Sequence, residues 1–399
     1  MRKSIYAVLM ARSDRFAEVA LNLSTLLYFL SLHSIAPYIS RYAAQLGARE
    51  REVSLLGPAL SAVAISIRPL SGLLIDRGLL RLLLLTGISL AIAAQTSYWL
   101  STSTTLLYVG RALQGVGVAL FIPASIYTAT LVRQNVASSL AWRSTMIGLS
   151  MALGPAVGGL LVSLYGYKSL FTAAGIYLLL SGFLTAATLK EVSTSGRRES
   201  TRLVDILNTD YLVALFSILT YSVVYNCLLL FLPAYHSSLN VDVAVTTSLF
   251  TTLSIANFTS RVILSLLSSR LRYPLIASLG SFSALLGVSL IVLNPESPYL
   301  LLYAAVAGFG GGLLIPSLQI IALLNVRERS RGLASGIYTA MFDVGNIIGP
   351  PLAVAIGKTY LDSLKASIAI SSMGPVVLLI YSTASLLNQN RSRVSVKGS

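Results

Sequence analysis

The chain has 399 residues, of which 55% are hydrophobic and only 11% charged, with a mean hydropathy of +0.77. A soluble domain carries about a quarter of its residues charged, so this composition excludes a water-soluble enzyme or binding module and requires a polytopic membrane protein. The net charge of +15 raises the question of nucleic acid, which the placement of the basic residues answers below.

A helix needs about 20 apolar residues to cross roughly 30 Å of hydrocarbon, and its backbone must be satisfied internally. Apolar runs and polar breaks predict spans near 16–38, 53–75, 80–100, 105–131, 138–164, 168–190, 210–234, 243–266, 272–294, 298–324, 332–357 and 364–387. The runs are too long for barrel strands. The predicted class is an all-α integral membrane protein of twelve helices in two six-helix bundles. The bundles occupy 1–190 and 210–399, joined by a polar linker over 191–209. The basic, polar N-terminal stretch feeds a retained first span rather than a cleaved signal.

With the N-terminus inside, 19 of the 29 Lys and Arg fall in cytoplasmic segments, 6 in external ones and 4 within spans. That asymmetry is the positive-inside bias, so the basic excess reports orientation and contact with anionic headgroups, not nucleic acid. It predicts a multi-pass protein of the cell membrane with both termini cytoplasmic. A lone Cys227 carries no information about bridges, no His/Cys/acid cluster has metal spacing, and no cofactor is indicated.

In the first span, Asn22, Phe29 and His33 recur at spacings of seven and four, one stripe of an apolar cylinder that faces protein. His33 reads as a hydrogen-bonded imidazole or as a substrate or proton group. Between the second and third spans lies Arg68-Pro-Leu-Ser-Gly72-Leu-Leu-Ile-Asp76-Arg77-Gly-Leu-Leu-Arg81. Gly72 permits close helix approach, Asp76 is an acid at a helix end, and Arg77 and Arg81 stand where membrane meets water. Arg68, roughly 10 Å short of that interface, is within snorkelling reach.

The fourth span carries Tyr108, Arg111 and Gln114 at spacing three. An arginine facing lipid at that depth is costly, so Arg111 is expected to face a cavity or the bundle interior, with Gln114 beside it. Arg143, near the start of the fifth span, is expected to snorkel. The same span holds Gly148, Gly154, Pro155, Gly158 and Gly159, the pattern of a bent, tightly packed helix.

The second half repeats the first. Arg68, Leu74 and Arg77 map onto Arg261, Leu267 and Arg270 at an offset of 193, and Gly115, Gly117, Ile122 and Pro123 map onto Gly308, Gly310, Ile315 and Pro316 at the same offset. Polar residues recur inside its spans: Tyr225, Asn226, Asn257, Gln319, Asp343 and Asn346. Glu18 and Asp343 are the acids within spans, and Asp343, about 16 Å into the eleventh, lies close to the bilayer midplane. Burial disfavours its carboxylate and an approaching cation such as Arg111 favours it, the condition for a group that loads and releases a proton.

These residues resemble the major facilitator superfamily of secondary transporters over essentially the whole chain. Gly72, Leu74, Asp76 and Arg77 are similar to its loop 2–3 signature, with the later glycine one position early as Gly78 and only Arg81 following. Arg111, Gln114 and Gly115 resemble its Arg-x-x-Gln-Gly pattern, and the fifth-span glycines with Pro155 resemble its antiporter motif. The resemblance implies a drug-efflux-like or sugar-efflux-like carrier with a proton as co-substrate. Drug:proton antiporters often carry an acid in the middle of the first helix, where this chain offers Asn22 and His33.

Duplicated halves imply alternating access about a site near the midplane. The expected function is transport of a small solute, with proton-coupled efflux ahead of uptake or facilitation, and a transporter-like receptor or lipid-handling membrane protein as the reading from another class. The bilayer, a proton and a small-molecule substrate are the expected partners of a monomer. Substrate-cavity candidates are Asn22, His33, Arg111, Gln114, Tyr225, Asn226, Gln319 and Asn346; Asp343 and Arg111 are the proton-coupling pair. Gly72, Asp76, Arg77 and Arg81 form a cytoplasmic gate, with Asp76 set against the start of the eleventh span or against Arg331.

Overall fold

The computed structural model describes the backbone of residues 2–132, 135–191, 203–239, 241, 243–295 and 297–397. Helices make up almost all of it, with no strand among the described residues. In order they are α1 (Arg2–Ile35), α2 (Ile39–Gln45), α3 (Glu50–Leu74), α4 (Leu80–Trp99), α5 (Thr104–Ala129), α6 (Val136–Tyr165) and α7 (Tyr167–Glu191). Then follow α8 (Thr209–Ser238), α9 (Val243–Leu267), α10 (Tyr273–Leu293), α11 (Leu300–Leu324), α12 (Arg331–Ile356), α13 (Tyr360–Ser371) and α14 (Met373–Lys397).

Eleven helical stretches among the described residues are long and apolar enough to cross a membrane, and one of them, Leu55–Trp99, runs 45 residues. At about 1.5 Å per residue that is twice the thickness of the hydrocarbon. It divides where Gly78 takes φ 86° and ψ 12°, a left-handed conformation that costs glycine no steric penalty. Counting α3 and α4 separately gives the twelve spans expected from the apolar runs.

Two compact units emerge: Met1–Ile206 with Val326–Asp343, and Leu207–Asn325 with Val344–Ser399. The first half of α12 thus belongs with the N-terminal helices and its second half with the C-terminal ones. Most of the linker, residues 192–202, lies outside the described residues. After it the chain resumes at Leu203–Asp205, where Asp205 stands 3.8 Å from Arg329.

Within the first unit, α1 packs on α6 and α7, and α5 on α3 and α4. One apolar cluster gathers Tyr28, Ile75, Leu84 and Phe121, and another Ile35, Tyr42, Tyr98 and Phe171. Hydrocarbon supplies no hydrophobic drive between helices, so small residues and buried hydroxyls carry the contact. Ser24 of α1 lies 2.9 Å from the Ser181 hydroxyl and 2.6 Å from that of Thr185 on α7. A Cβ added to Gly87 on α4 would fall 3.0 Å from the Gly117 carbonyl on α5, and one on Gly117 would fall 2.8 Å from the Gly87 carbonyl.

The second unit repeats that crossing at the same offset of 193 residues. A Cβ on Gly280 of α10 would fall 2.9 Å from the Gly310 carbonyl of α11, and one on Gly310 would fall 2.6 Å from the Gly280 carbonyl. The duplication therefore reaches the helix-packing contacts themselves. The core of this unit is built on Val224, Leu228, Leu253, Ile291 and Ala304.

Candidate functional site

The site of interest lies in the first unit, where α3 meets the first half of α12. Three glycines bring the backbones together: a Cβ on Gly72 would fall 2.5 Å from the Gly332 carbonyl, and Gly336 lies directly against the Arg68 carbonyl. Contact at that range puts the side chains just beyond the glycines into direct reach of the opposite helix. Two polar contacts result, one at each end of the crossing.

At the cytoplasmic end, Asp76 accepts hydrogen bonds from the backbone N–H of Gly332 at 2.8 Å and of Leu333 at 2.9 Å. These N–H groups belong to the first turn of α12, where no intrahelical acceptor exists and the helix dipole favours an anion. The sequence left two partners open for Asp76; these two bonds go to the helix start. Arg331 donates through Nε to the Val326 carbonyl at 3.2 Å. Arg77 and Arg81 are exposed. Ser335, fully buried, donates toward the Pro123 carbonyl of α5 at 3.2 Å.

Deeper in the membrane, the Arg68 guanidinium stands 2.9 Å from Oδ2 of Asp343 and also donates to the Thr339 carbonyl. Arg68 is 5% exposed and Asp343 7%, so both charges are withdrawn from water and the pair is held by mutual attraction at low dielectric. The contact is an ion pair without hydrogen-bond alignment at Oδ2. Tyr28 of α1, stacked on Phe121 at 3.8 Å between ring centroids, is within electrostatic reach of Arg68.

Two expectations from sequence need correction here. Arg68 does not snorkel: the close approach at Gly72 and Gly336 places α12 across its path, and Asp343 neutralises it in place. Arg143 is 1% exposed and donates to Ser125 Oγ at 2.6 and 3.2 Å, so it too is drawn inward and not toward the interface.

Arg111 is buried inside the first unit, at 6% exposure, and donates to Gln114 Oε1 at 3.0 Å. The same oxygen accepts from the Tyr98 hydroxyl at 2.9 Å. Arg111 is therefore engaged within its own bundle, and the cation beside Asp343 is Arg68. His33 lies 2.9 Å from Ser150 Oγ through Nδ1 and stacks on Phe29. Asn22 is half-buried on the same helix.

The small residues of α6 receive α1. A Cβ on Gly154 would meet the His33 Cβ at 2.7 Å, one on Gly159 would meet the Tyr38 hydroxyl at 2.5 Å, and Gly158 faces the Ser34 carbonyl. The Tyr38 hydroxyl donates to the Pro155 carbonyl at 2.8 Å, and Gly148 is buried on the same helix.

In the second unit, Tyr225 stacks on Tyr221 with centroids 5.7 Å apart, and Asn226 donates to the Ser222 carbonyl at 2.8 Å. Gln319 is buried on α11 and Asn346 half-buried on α12. Arg261, the counterpart of Arg68 at the duplication offset, is buried and donates through Nε to Asn257 Oδ1 at 2.8 Å.

Sequence reasoning singled out Asp343 and missed its partner. One signal was present: an arginine recurs at the same depth in both halves, which chance snorkelling does not require. Tyr28 and Thr339 gave no signal, since neither is polar enough to stand out in a span.

The chain is 22% identical over 350 residues to the "Multi-drug resistance efflux pump PmrA" of Streptococcus pneumoniae, covering 83% of this chain and 86% of that one. It is 21% identical over 372 residues to the "Quinolone resistance protein NorA" of Staphylococcus aureus, covering 89% and 93%. Its fold is similar to the human organic anion transporter MFSD10, with a TM-score of 0.74 at 14% identity over 93% of this chain and 99% of that one. The Escherichia coli fucose:proton symporter FucP gives 0.72 at 13% identity over 92% and 99%. The family model described as Major Facilitator Superfamily matches residues 21–350 and, a second time, 214–387. The chain is a multi-pass membrane protein that belongs to the Major Facilitator Superfamily, a family of transporters and not of enzymes.

Proposed function

We propose that this transporter exports a small amphipathic solute in exchange for protons by alternating access, with Asp343 as the proton-responsive group. The observation that carries the reading is the buried Arg68–Asp343 pair, a charge contact that can be made and broken between the N-terminal helices and the first half of α12. A proton on Asp343 cancels the attraction and leaves Arg68 with the Thr339 carbonyl. Breaking the pair would strand an unpaired charge away from water, which a proton removes, so release of α12 and proton binding assist each other. Efflux is supported by the relatives named for multidrug and quinolone resistance. The orientation with both termini cytoplasmic, in the cell membrane and as a monomer, is part of the same proposal.

The polar residues Asn22, His33, Arg111, Gln114, Tyr225, Asn226, Gln319 and Asn346 are the proposed solute contacts. Arg111→Lys is expected to lose most transport, because a lysine keeps the charge and loses the planar set of donors that can hold Gln114 through Nη1 and a solute through the others. Transport at the wild-type rate by that variant would count against the assignment. The function itself is tested by counterflow in proteoliposomes with a panel of labelled quinolones and other amphipathic drugs: saturable exchange supports a carrier, and none across the panel refutes drug export.

Asp76 is proposed as the gate latch. Asp76→Asn removes the charge that the α12 N-terminus favours, an effect of about 0.3–1 kcal/mol when exposed and up to about 2 when partly buried, or roughly 2- to 30-fold in a two-state ratio. A cysteine at Ser335, in a Cys227→Ser background, should label faster by that factor in the Asp76→Asn protein. Unchanged labelling would remove Asp76 from the gate.

A further inference from the structure

We propose that a cavity between α4 and α7 binds a phospholipid whose head group carries an N–H or O–H donor beside its phosphate. The cavity measures about 230 Å³ and is lined by Gln95, Thr96 and Trp99 of α4 and by Phe171, Thr172 and Gly175 of α7, among others. It lies away from the Arg68–Asp343 pair, and nothing in the transport cycle proposed above uses it.

Gln95 is the residue that demands an occupant. It is 3% exposed, and neither its Nε2 nor its Oε1 has a hydrogen-bond partner among the described residues. A buried amide left that way is costly in any apolar setting, and more so in a membrane. The neighbouring hydroxyls do not help: Thr96 donates to the Ile92 carbonyl at 3.2 Å and Thr172 to the Lys168 carbonyl at 2.9 Å. Both atoms are enclosed by neighbouring groups, so the Gln95 side chain turns toward the cavity to meet an occupant, which must accept from Nε2 and donate to Oε1 at once.

The surroundings identify its chemistry. Over Trp99, which lines the cavity, the exposed Lys168 ammonium lies 4.7 Å from the ring centre, a Trp and Lys pairing proper to the level of lipid headgroups. Gln95 is four residues back along α4, about 6 Å below Trp99, so a head group entering beside Trp99 reaches it. Beyond the cavity α7 exposes Ile176, Leu179, Leu180 and Phe183, an apolar track for a lipid chain. A phosphate accepts from Gln95 Nε2 and faces Lys168, while an ammonium or hydroxyl on the same head donates to Oε1. At ~30 Å³ per water the space would otherwise take several waters, and that is the competing occupant.

The test compares phosphatidylethanolamine with phosphatidylcholine, which have the same net charge and differ in the head-group donor. Purified full-length protein in detergent is given either lipid, and its thermal midpoint and the lipid retained in native mass spectrometry are recorded. Phosphatidylethanolamine should raise the wild-type midpoint more than phosphatidylcholine and be retained preferentially. Gln95→Leu removes the amide. Gly175→Leu fills the cavity from a position where an added Cβ meets nothing within 4 Å, so it decides the matter if Gln95→Leu does not fold. Both variants should lose the preference. No preference in the wild type, or a preference that survives in either variant, overturns the proposal; a Gln95→Leu protein that is more stable yet still selective assigns the cavity to water alone.

Discussion

Replacing Asp343 by asparagine is expected to reduce solute accumulation driven by a pH gradient to the level of empty vesicles, while leaving solute exchange in place. Asparagine is nearly the same size and can still accept a hydrogen bond near Arg68, so the crossing of α3 and α12 at Gly72, Gly332 and Gly336 should survive. What is lost is the ability to alternate between charged and neutral. A structural acid, permanently paired, would give a different result: its removal would impair exchange and gradient-driven transport alike. The comparison requires both assays on the same reconstituted protein, and full gradient-driven accumulation by Asp343→Asn would dismiss the coupling role.

Arg68→Met should be the most destabilising single change at the site. It leaves a carboxylate buried at 7% exposure without its cation, a situation that costs about 3–5 kcal/mol when one partner of a buried pair is removed. The companion change Asp343→Leu, made alone, strands Arg68 in the same way. Together the two should destabilise by less than the sum of the single effects, with a coupling of roughly 0.5–3 kcal/mol. Thermal or denaturant unfolding of the four proteins in one detergent measures this. Strict additivity would mean that the 2.9 Å contact carries no net interaction and could not act as a switch.

The spans were legible because hydrocarbon leaves a helix little choice: about 20 apolar residues between polar breaks is a requirement and not a tendency. The duplication was legible for a similar reason. Helices that approach at a carbonyl tolerate only a glycine, and Gly117 and Gly310 leave that imprint at one constant offset, while their partners Gly87 and Gly280 were visible only in the structure. Asp343 was conspicuous as an acid near the midplane. Its partner was not, because the depth of a side chain can be read along one helix while its neighbour is set by a crossing between segments far apart in the chain. Arg68 lay near enough to an interface for snorkelling to suffice, and Arg143 likewise. Only the glycine contact between α3 and α12 reveals that the route to water is closed. Gln95 escaped for the opposite reason: a single glutamine in a long apolar run has no periodic companion to mark it.

The central claim, that solute leaves in exchange for protons, is tested most directly by watching the protons. A pH-sensitive dye trapped in proteoliposomes at symmetric pH should report alkalinisation of the lumen when a transported solute is added outside, because each inward solute movement drives protons out. The signal should be absent with Asp343→Asn although labelled solute still exchanges. Solute entry with no change in lumenal pH, or with acidification, would contradict the account.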